Sequence, residues 1–316
     1  MTFRRLRKDI LAMKRISMQL VRIDVAGRYT KLFAMTWISL LLFGSCTELI
    51  DLKTDNSTPV VVIYGCLSEQ EVYQTIRVSL SSPYFEEQPN LPVSNAVVVI
   101  QSSNNETFEL KESDEKGLYR TQIPVAAVPG VTYHLSVQID SEQSGNPKRY
   151  EATTTMQRPF DVDTISIEVR NLMDYKHYVL KMYAMEVEGP DFYCAYPVIN
   201  DSLVDARISR LTVFSDFGVD GHYLDGYPLM QFEDYANQNG MDDFHQLPVR
   251  PGDKITCCIS LIDKGYHDFL EQAQNERRGE NPFFGGPASN ITTNLTNGAV
   301  GYFAAFCTTK VEAHVP

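Results

Sequence analysis

The sequence lacks the short motifs by which several large enzyme classes are recognised. It has no Gly-x-Ser-x-Gly, no His-Glu-x-x-His and no glycine-rich phosphate-binding loop. Its six histidines are scattered, and no Cys-x-x-Cys or cysteine–histidine pattern has the spacing of a zinc site. We therefore expect a protein that is not an enzyme and that needs neither a metal nor a cofactor.

Cations are scarce. The chain has 28 Lys and Arg against 40 Asp and Glu, and nine of the cations but only two of the acids precede Cys46. The part that follows Cys46 therefore has a formal charge of −19. Such a surface repels phosphate backbones and anionic headgroups, so we expect no nucleic-acid binding and no basic membrane-binding patch.

No apolar run is long enough to span a bilayer as a helix. The longest, residues 32–43, has 12 residues, whereas a span needs about 20. Arg28 and Lys31 precede this run, and Gly44 and Ser45 lead from it into Cys46. The order of charged, apolar and small residues before a cysteine resembles the signal peptide of a bacterial lipoprotein. An ordinary secretory signal and an uncleaved anchor are the alternatives.

The lipoprotein interpretation divides the N-terminal part of the chain. Residues 1–45 are the predicted signal peptide, Cys46 the predicted lipidation site, and residues 46–58 a polar tether. A start at Met18 gives a leader of ordinary length, so residues 1–17 are interpreted as a gene-start artefact. Membrane attachment is then expected from the lipid anchor on Cys46, with an outer-membrane location.

Cysteines beyond the predicted lipidation site are few. They are Cys66, Cys194, Cys257, Cys258 and Cys307, an odd number without regular spacing. Such a set is a poor disulfide framework. Buried free thiols are the expectation, with one disulfide in the second half of the chain as the alternative.

Residues 59–158 have the pattern of a β-sandwich. Seven short segments are rich in β-branched and aromatic residues, and in residues 132–139 the apolar side chains alternate strictly. The segments predicted as strands are residues 60–64, 73–80, 96–100, 108–110, 118–121, 132–139 and 149–156. Their spacing, without a helical period, predicts an Ig-like or prealbumin-like sandwich.

Residues 159–316 are predicted as a second β-rich domain with one helix. Strands are expected at residues 164–169, 178–187, 192–199, 210–214, 254–262 and 298–306. Tyr266, Phe269, Leu270 and Ala273 repeat at the helical period and predict an amphipathic helix over residues 264–278. Residues 215–243 have no apolar period and are predicted as a long loop, a kind of segment that often binds ligands.

The predicted loop contains the candidate ligand-binding residues. Tyr223, Tyr227 and Tyr235 are aromatic side chains able to stack on a sugar or peptide, although anchoring of the loop explains them equally well. The same segment holds acidic residues and one histidine that are grouped closely enough to suggest Ca²⁺, namely Asp216, Asp220, His222 and Asp225. Their spacing is not that of an EF-hand, so a solvated acidic loop is preferred.

Several short segments, in this order, resemble a family of Bacteroidota lipoproteins catalogued as domain of unknown function 4249. They are residues 46–52, 59–65, 78–85, 93–99, 117–119, 129–135, 163–165, 281–288 and 297–303. The resemblance implies an outer-membrane lipoprotein that assists a TonB-dependent transporter in nutrient capture. It implies no catalytic residues. A glycan or peptide hydrolase with a scattered site, and a structural or adhesive envelope protein, are the alternatives.

Two tripeptides resemble the Asp-Ser/Thr-apolar acceptor of Bacteroidota O-glycosylation, and they centre on Thr164 and Ser202. If both are modified, the combined Thr164→Ala and Ser202→Ala variant loses periodate-sensitive glycan staining of the protein. Staining equal to that of the wild-type protein would exclude the modification.

Overall fold

A computed structural model describes residues 59–81, 90–140, 147–172, 175–203, 207–237, 247–278 and 291–316. The predictions on the signal peptide, on Cys46 and its tether, and on residues 281–288 lie outside these ranges. The described chain is mainly β with one α-helix, as the sequence predicts. No helix among the described residues has both the length and the apolar character that a membrane crossing requires.

Eight strands come from the first half of the chain. They are β1 (Val61–Ser68), β2 (Thr75–Leu80), β3 (Leu91–Pro92), β4 (Val97–Ser102), β5 (Thr107–Glu112), β6 (Leu118–Thr121), β7 (Thr132–Ile139) and β8 (Lys148–Thr155).

The second half adds β9 (Thr164–Leu172), β10 (Tyr175–Met185), β11 (Phe192–Ile199), β12 (Thr212–Ser215), β13 (Tyr223–Asp234), β14 (Leu247–Val249) and β15 (Lys254–Ile262). Helix α1 (Lys264–Arg278), β16 (Val300–Phe306) and β17 (Thr309–His314) follow. Two short 3₁₀ helices lie at Ile208–Arg210 and Tyr235–Asn237.

The first sheet has the strand order β16-β1-β2-β6-β5-β4-β7-β8, with β3 paired to β2. It bends round one core, to which every second residue of its strands contributes, among them Ile63, Val98 and Leu135. The two end strands, β16 and β8, lie close together. The N–H of Gln157, just after β8, donates to the Ala305 carbonyl of β16 at 3.2 Å. The predicted sandwich of the first half is therefore confirmed as a sheet folded over a single core.

Strand β16 joins the two halves of the chain. The expected boundary at residue 158 lies between β8 and β9, yet β16 comes from beyond it and pairs in parallel with β1. Gly301 lies opposite Ile63, and its φ of +105° is one that L side chains rarely adopt. A Cβ at this position would lie 2.1 Å from the Ile63 carbonyl oxygen. The close approach of the two backbones therefore requires glycine.

The second half forms a sandwich of two four-stranded sheets. Their orders are β14-β13-β10-β9 and β12-β11-β15-β17. The core between them contains Tyr178, Leu180, Tyr193, Phe232 and Ile259, each at most 1% exposed. The second β-rich region predicted from the sequence is therefore a sandwich with its own core.

The prediction of a loop over residues 215–243 is wrong for its central part, because β13 occupies Tyr223–Asp234 and pairs with β10 along nearly its whole length. Register shifts interrupt this ladder between Leu180 and Lys181 and between Met182 and Tyr183. Each irregularity changes which side chain of β13 points inward. The apolar period is broken for this reason, and the strand escapes a search for strict alternation.

Helix α1 has the predicted bounds and lies at the junction of the two sandwiches. Tyr266, Phe269 and Leu270 pack with Tyr302 of β16 on one side and Cys194 of β11 on the other. The Asp263 carboxylate caps the helix by accepting from the Tyr266 N–H at 3.0 Å. The same oxygen accepts a hydrogen bond from the Tyr302 hydroxyl at 2.9 Å, so the cap also fixes the helix to β16.

The five cysteines of the described chain are free thiols. All but Cys66 are buried, and burial raises the pKa of Cys194 and of Cys257 to about 12. These two side chains therefore remain neutral at physiological pH and pack as small apolar groups.

The contact at Gly301 predicts a large stability loss. Gly301→Ala should lower the free energy of unfolding by about 3 kcal/mol or more, because a backbone clash adds to the strain of a left-handed conformation. Gly130→Ala is the matched control, since Gly130 also has a positive φ but a Cβ there meets nothing within 4 Å. It should cost only about 1–2 kcal/mol. Equal losses in urea unfolding would contradict the assigned β1–β16 register.

Candidate functional site

The three candidate tyrosines do not form one site. Tyr223 begins β13 and is 48% exposed, whereas Tyr227 is partly buried with its ring stacked on Phe214 at 5.8 Å. Tyr235 follows the far end of the strand, where its ring faces the Arg250 guanidinium at 3.8 Å. Since an extended strand rises about 3.3 Å per residue, the ends of β13 are up to about 40 Å apart. Of the three tyrosines, Tyr227 serves to anchor the strand.

Two connections between the sheets of the second sandwich meet at one end of it. Residues 186–191 join β10 to β11, and residues 216–222 join β12 to β13. They lie side by side because Met185 pairs with Tyr223 and Phe192 pairs with Ser215. We call these two segments together the double loop.

Three carboxylates hold the double loop together. Each accepts a hydrogen bond from a backbone N–H of the opposite segment, and such charge-assisted bonds are stronger than neutral ones. The pairs are Glu186 with Gly221 at 2.9 Å, Asp216 with Asp191 at 2.9 Å, and Asp220 with Gly189 at 2.8 Å. The two connections are therefore locked to each other in both directions.

We call the three carboxylates and these hydrogen bonds the lock. At its buried end, the pKa values of neighbouring side chains are shifted. Glu186 is 2% exposed and also accepts from the Tyr193 hydroxyl at 2.7 Å. Burial raises the pKa of Tyr193 well above its ordinary value, and the Glu186 carboxylate raises it further. Burial also raises the pKa of Asp191, against the opposing effect of its ion-pair partner Arg158. Glu186 and Asp216 raise it further, so negative charge is concentrated here.

The lock differs from the acidic loop predicted from the sequence. Asp216 and Asp220 do come together, and one oxygen of each lies within 4.8 Å of the others in a group completed by Glu186. Carboxylate oxygens are the ligands that Ca²⁺ prefers. Here each carboxylate already accepts from a backbone N–H, which gives the group a structural role. Asp225 lies instead on β13, and His222 directs Nδ1 at the Asp220 carbonyl oxygen at 2.6 Å.

Sequence reasoning missed Glu186. Its position just after the apolar strand β10, between Met185 and Val187, gives an alternation in which the acid takes the inward place. A single charged residue at a position that continues the buried face of a strand is the sequence signal that points to Glu186. Its partners come from two distant segments, so the pattern alone does not name them.

The double loop and its adjoining strand ends also expose large apolar side chains. Phe217 is 94% exposed, and Met185, Val187 and Tyr223 are 57%, 50% and 48% exposed. We call these four residues the apolar tip. Most large apolar side chains of a folded protein are at least partly covered, so an almost fully exposed phenylalanine, with three more exposed apolar residues on the same connections and strand ends, indicates a contact surface.

Thr164 and Ser202 are both exposed. Thr164 begins β9, and Ser202 follows Asn200 and Asp201, whose positive φ values form a tight turn. Both hydroxyls are thus on the surface, and their glycosylation stays a prediction.

A family model described as Domain of unknown function (DUF4249) matches residues 47–312. The chain belongs to this family. The matched span begins directly after Cys46 and contains the double loop and both sandwiches. Membership of the DUF4249 family therefore applies to the whole described fold, and it assigns no activity.

Comparison with curated proteins gives no significant match. Among solved structures, the chain is similar to the FN1–FN3 domains of chicken CNTN1, with 11% sequence identity and a TM-score of 0.26. The match covers 64% of this chain and 60% of that structure. The DUF4249 chain thus spans less than two thirds of that neighbour.

The raised pKa of Asp191 predicts a pH dependence of stability. A carboxyl group whose pKa is higher in the folded state binds more protons there, so its contribution to stability falls as pH rises above the ordinary aspartate pKa of about 3.9. Asp191→Asn should remove this contribution, and the unfolding free energy of the variant relative to wild type should increase from pH 4 towards pH 7. The exposed Asp114, changed to Asn, is the control. Parallel pH profiles of wild type and Asp191→Asn would contradict the assignment.

Proposed function

We propose that this protein is an outer-membrane lipoprotein, anchored through Cys46, that acts without catalysis as an accessory partner of a TonB-dependent transporter. The observation that supports it most is the double loop, which presents apolar side chains and holds its carboxylates in hydrogen bonds to backbone N–H groups. A surface of this kind suits binding to another protein better than chemistry.

The lipid anchor is supported by the sequence before the family domain. A charged, apolar and small segment ends at Cys46, and the family match begins at the next residue. The strongly acidic remainder has no means of attracting an anionic membrane surface, so attachment depends on the lipid. A domain held on a short polar tether stays close to membrane proteins.

The described cavities give the hydrolase alternative no support. One, of about 470 Å³, lies on the outer face of β4, β7 and β8, where Glu151 pairs with Arg149 at 2.9 Å. Glu151 is its single carboxylate, whereas glycoside hydrolysis commonly uses two. A second, of about 440 Å³, is lined by apolar and neutral polar residues with Arg210. The acids that do converge belong to the lock.

Membrane fractionation and co-purification test the proposal together. Wild-type protein should sediment with outer membranes and co-purify with a TonB-dependent transporter after mild solubilisation. Cys46→Ser should move the protein to the soluble fraction, because the acylated thiol is lost.

Thr47→Ser, which keeps the thiol, is the matched control and should behave as wild type. Persistence of Cys46→Ser in the membrane fraction would refute the anchor. Absence of any transporter from the wild-type complex would refute the accessory role.

A further inference from the structure

We infer that the apolar tip is a docking surface for one kind of partner, a protein surface with an apolar pocket that receives Phe217 and is surrounded by Lys and Arg side chains. The inference rests on the proposed function in that both require a protein partner. It adds which face of the molecule makes contact and what chemistry the partner presents.

Phe217 is held in place although its side chain is free. The residue before it, Asp216, is 8% exposed and bonded to the Asp191 N–H. Two residues later, Val219 packs on the core of the second sandwich, and its N–H donates to the Asp216 carbonyl at 2.8 Å. The backbone on both sides of Phe217 is therefore anchored. A pre-organised aromatic side chain loses little conformational entropy on binding, which is typical of an interface anchor.

Three further exposed apolar residues lie on the double loop or at the strand ends that adjoin it. Met185 of β10 pairs with Tyr223 of β13, and Val187 follows Met185 by two positions. Together with Phe217 they provide aliphatic, thioether and aromatic surface. Aromatic residues and methionine are enriched at the cores of protein interfaces, so the composition fits a protein partner.

Charges around the tip specify the partner further. Residues 185–191 and 215–225 contain no Lys or Arg, and Arg158, which reaches the double loop from outside, is paired with Asp191. Four exposed acidic residues lie on the double loop or close to its strand ends: Glu188, Asp220, Asp225 on β13, and Asp163, which after desolvation is the main cause of the raised pKa of Tyr223. Electrostatic complementarity then requires cationic groups on the partner, arranged around the pocket.

The same charges argue against insertion of the tip into a membrane. Apolar side chains that enter the headgroup region are normally accompanied by Lys or Arg, which are attracted to anionic lipids. The acids of the tip are repelled by such a surface. In the crosslinking experiment below, adducts of the tip with lipid alone would therefore contradict the inference.

Photo-crosslinking of the full-length protein in its own cells tests the docking surface. p-Benzoylphenylalanine incorporated in place of Phe217 should give a discrete adduct with one protein. The same probe in place of Ile123, which is 66% exposed and lies in the first sandwich, should give no such adduct. The crosslinked peptide of the partner should contain Lys or Arg beside apolar residues.

Binding measurements with the crosslinked partner, once purified, make the test quantitative. Phe217→Ala should raise the dissociation constant about 10- to 30-fold, as expected for an interface anchor. Ile123→Ala should leave it unchanged. Glu188→Lys should slow association and reduce its dependence on salt, whereas Glu109→Lys on the first sandwich should not. Both Phe217 and Glu188 are exposed, so these variants keep the fold.

Several outcomes would overturn the inference: adducts with lipid alone, an acidic crosslinked peptide, no adduct at position 217, or equal adducts at 217 and 123. Its failure is distinguishable from that of the proposed function. A crosslinked partner at position 217, with no TonB-dependent transporter in the co-purified complex, would refute the function and leave the docking surface. A transporter that co-purifies but crosslinks only elsewhere would do the reverse.

Discussion

The parallel pairing of β16 with β1 is the constraint on which the arrangement of the described chain depends. Side chains of a strand alternate between two faces, and on β16 both faces are buried. Phe303 and Ala305 point into the core of the first sheet, whereas Tyr302 and Ala304 pack against helix α1. One strand therefore belongs to two cores. Moving its register by one residue would exchange the two sets and disrupt both.

Tyrosine hydroxyls connect β1 and β16 to helix α1, which packs in turn on β11 of the second sandwich. Tyr64 of β1 and Tyr266 of α1 share a hydrogen bond of 2.7 Å, and Tyr302 bonds to the helix cap at Asp263. A Cβ on Gly265 would lie 2.3 Å from the Tyr302 hydroxyl, so the first turn of the helix is pressed against β16. Buried hydroxyls need partners, and each partner here lies on a different element. This need fixes the helix in orientation as well as position.

Local patterns were sufficient for much of the fold. Strands β7, β11 and β15 and helix α1 have the bounds that the sequence predicts, because their apolar periods are uninterrupted over at least eight residues. The pattern failed at β13, where irregular pairing breaks the period, and at β17, whose alternating side chains are only half buried. The pairing of β16 with β1 joins the beginning and the end of the described part of the chain. No local property of either strand specifies such a long-range contact.

The candidate site was predictable in part for the same reason. Asp216, Asp220 and Tyr223 are close in the sequence, so their proximity could be anticipated. Their roles could not, because the lock depends on Glu186 and on backbone N–H groups from the neighbouring connection. The exposure of Phe217 could not be predicted from the composition either, since a phenylalanine in an irregular segment is more often buried than exposed.

A lock made of carboxylates is a costly way to join two loops, since burying charge is unfavourable unless every charge is paired or hydrogen-bonded. Apolar packing would hold the segments together with less desolvation, but it does not fix their direction. Hydrogen bonds from the N–H groups of Gly221, Asp191 and Gly189 fix both the position and the direction of the two segments, because each N–H must point at its oxygen. The hydrogen-bonded backbone, the exposed Phe217 and the carboxylates are thus parts of one surface, on which we infer that a cationic partner docks.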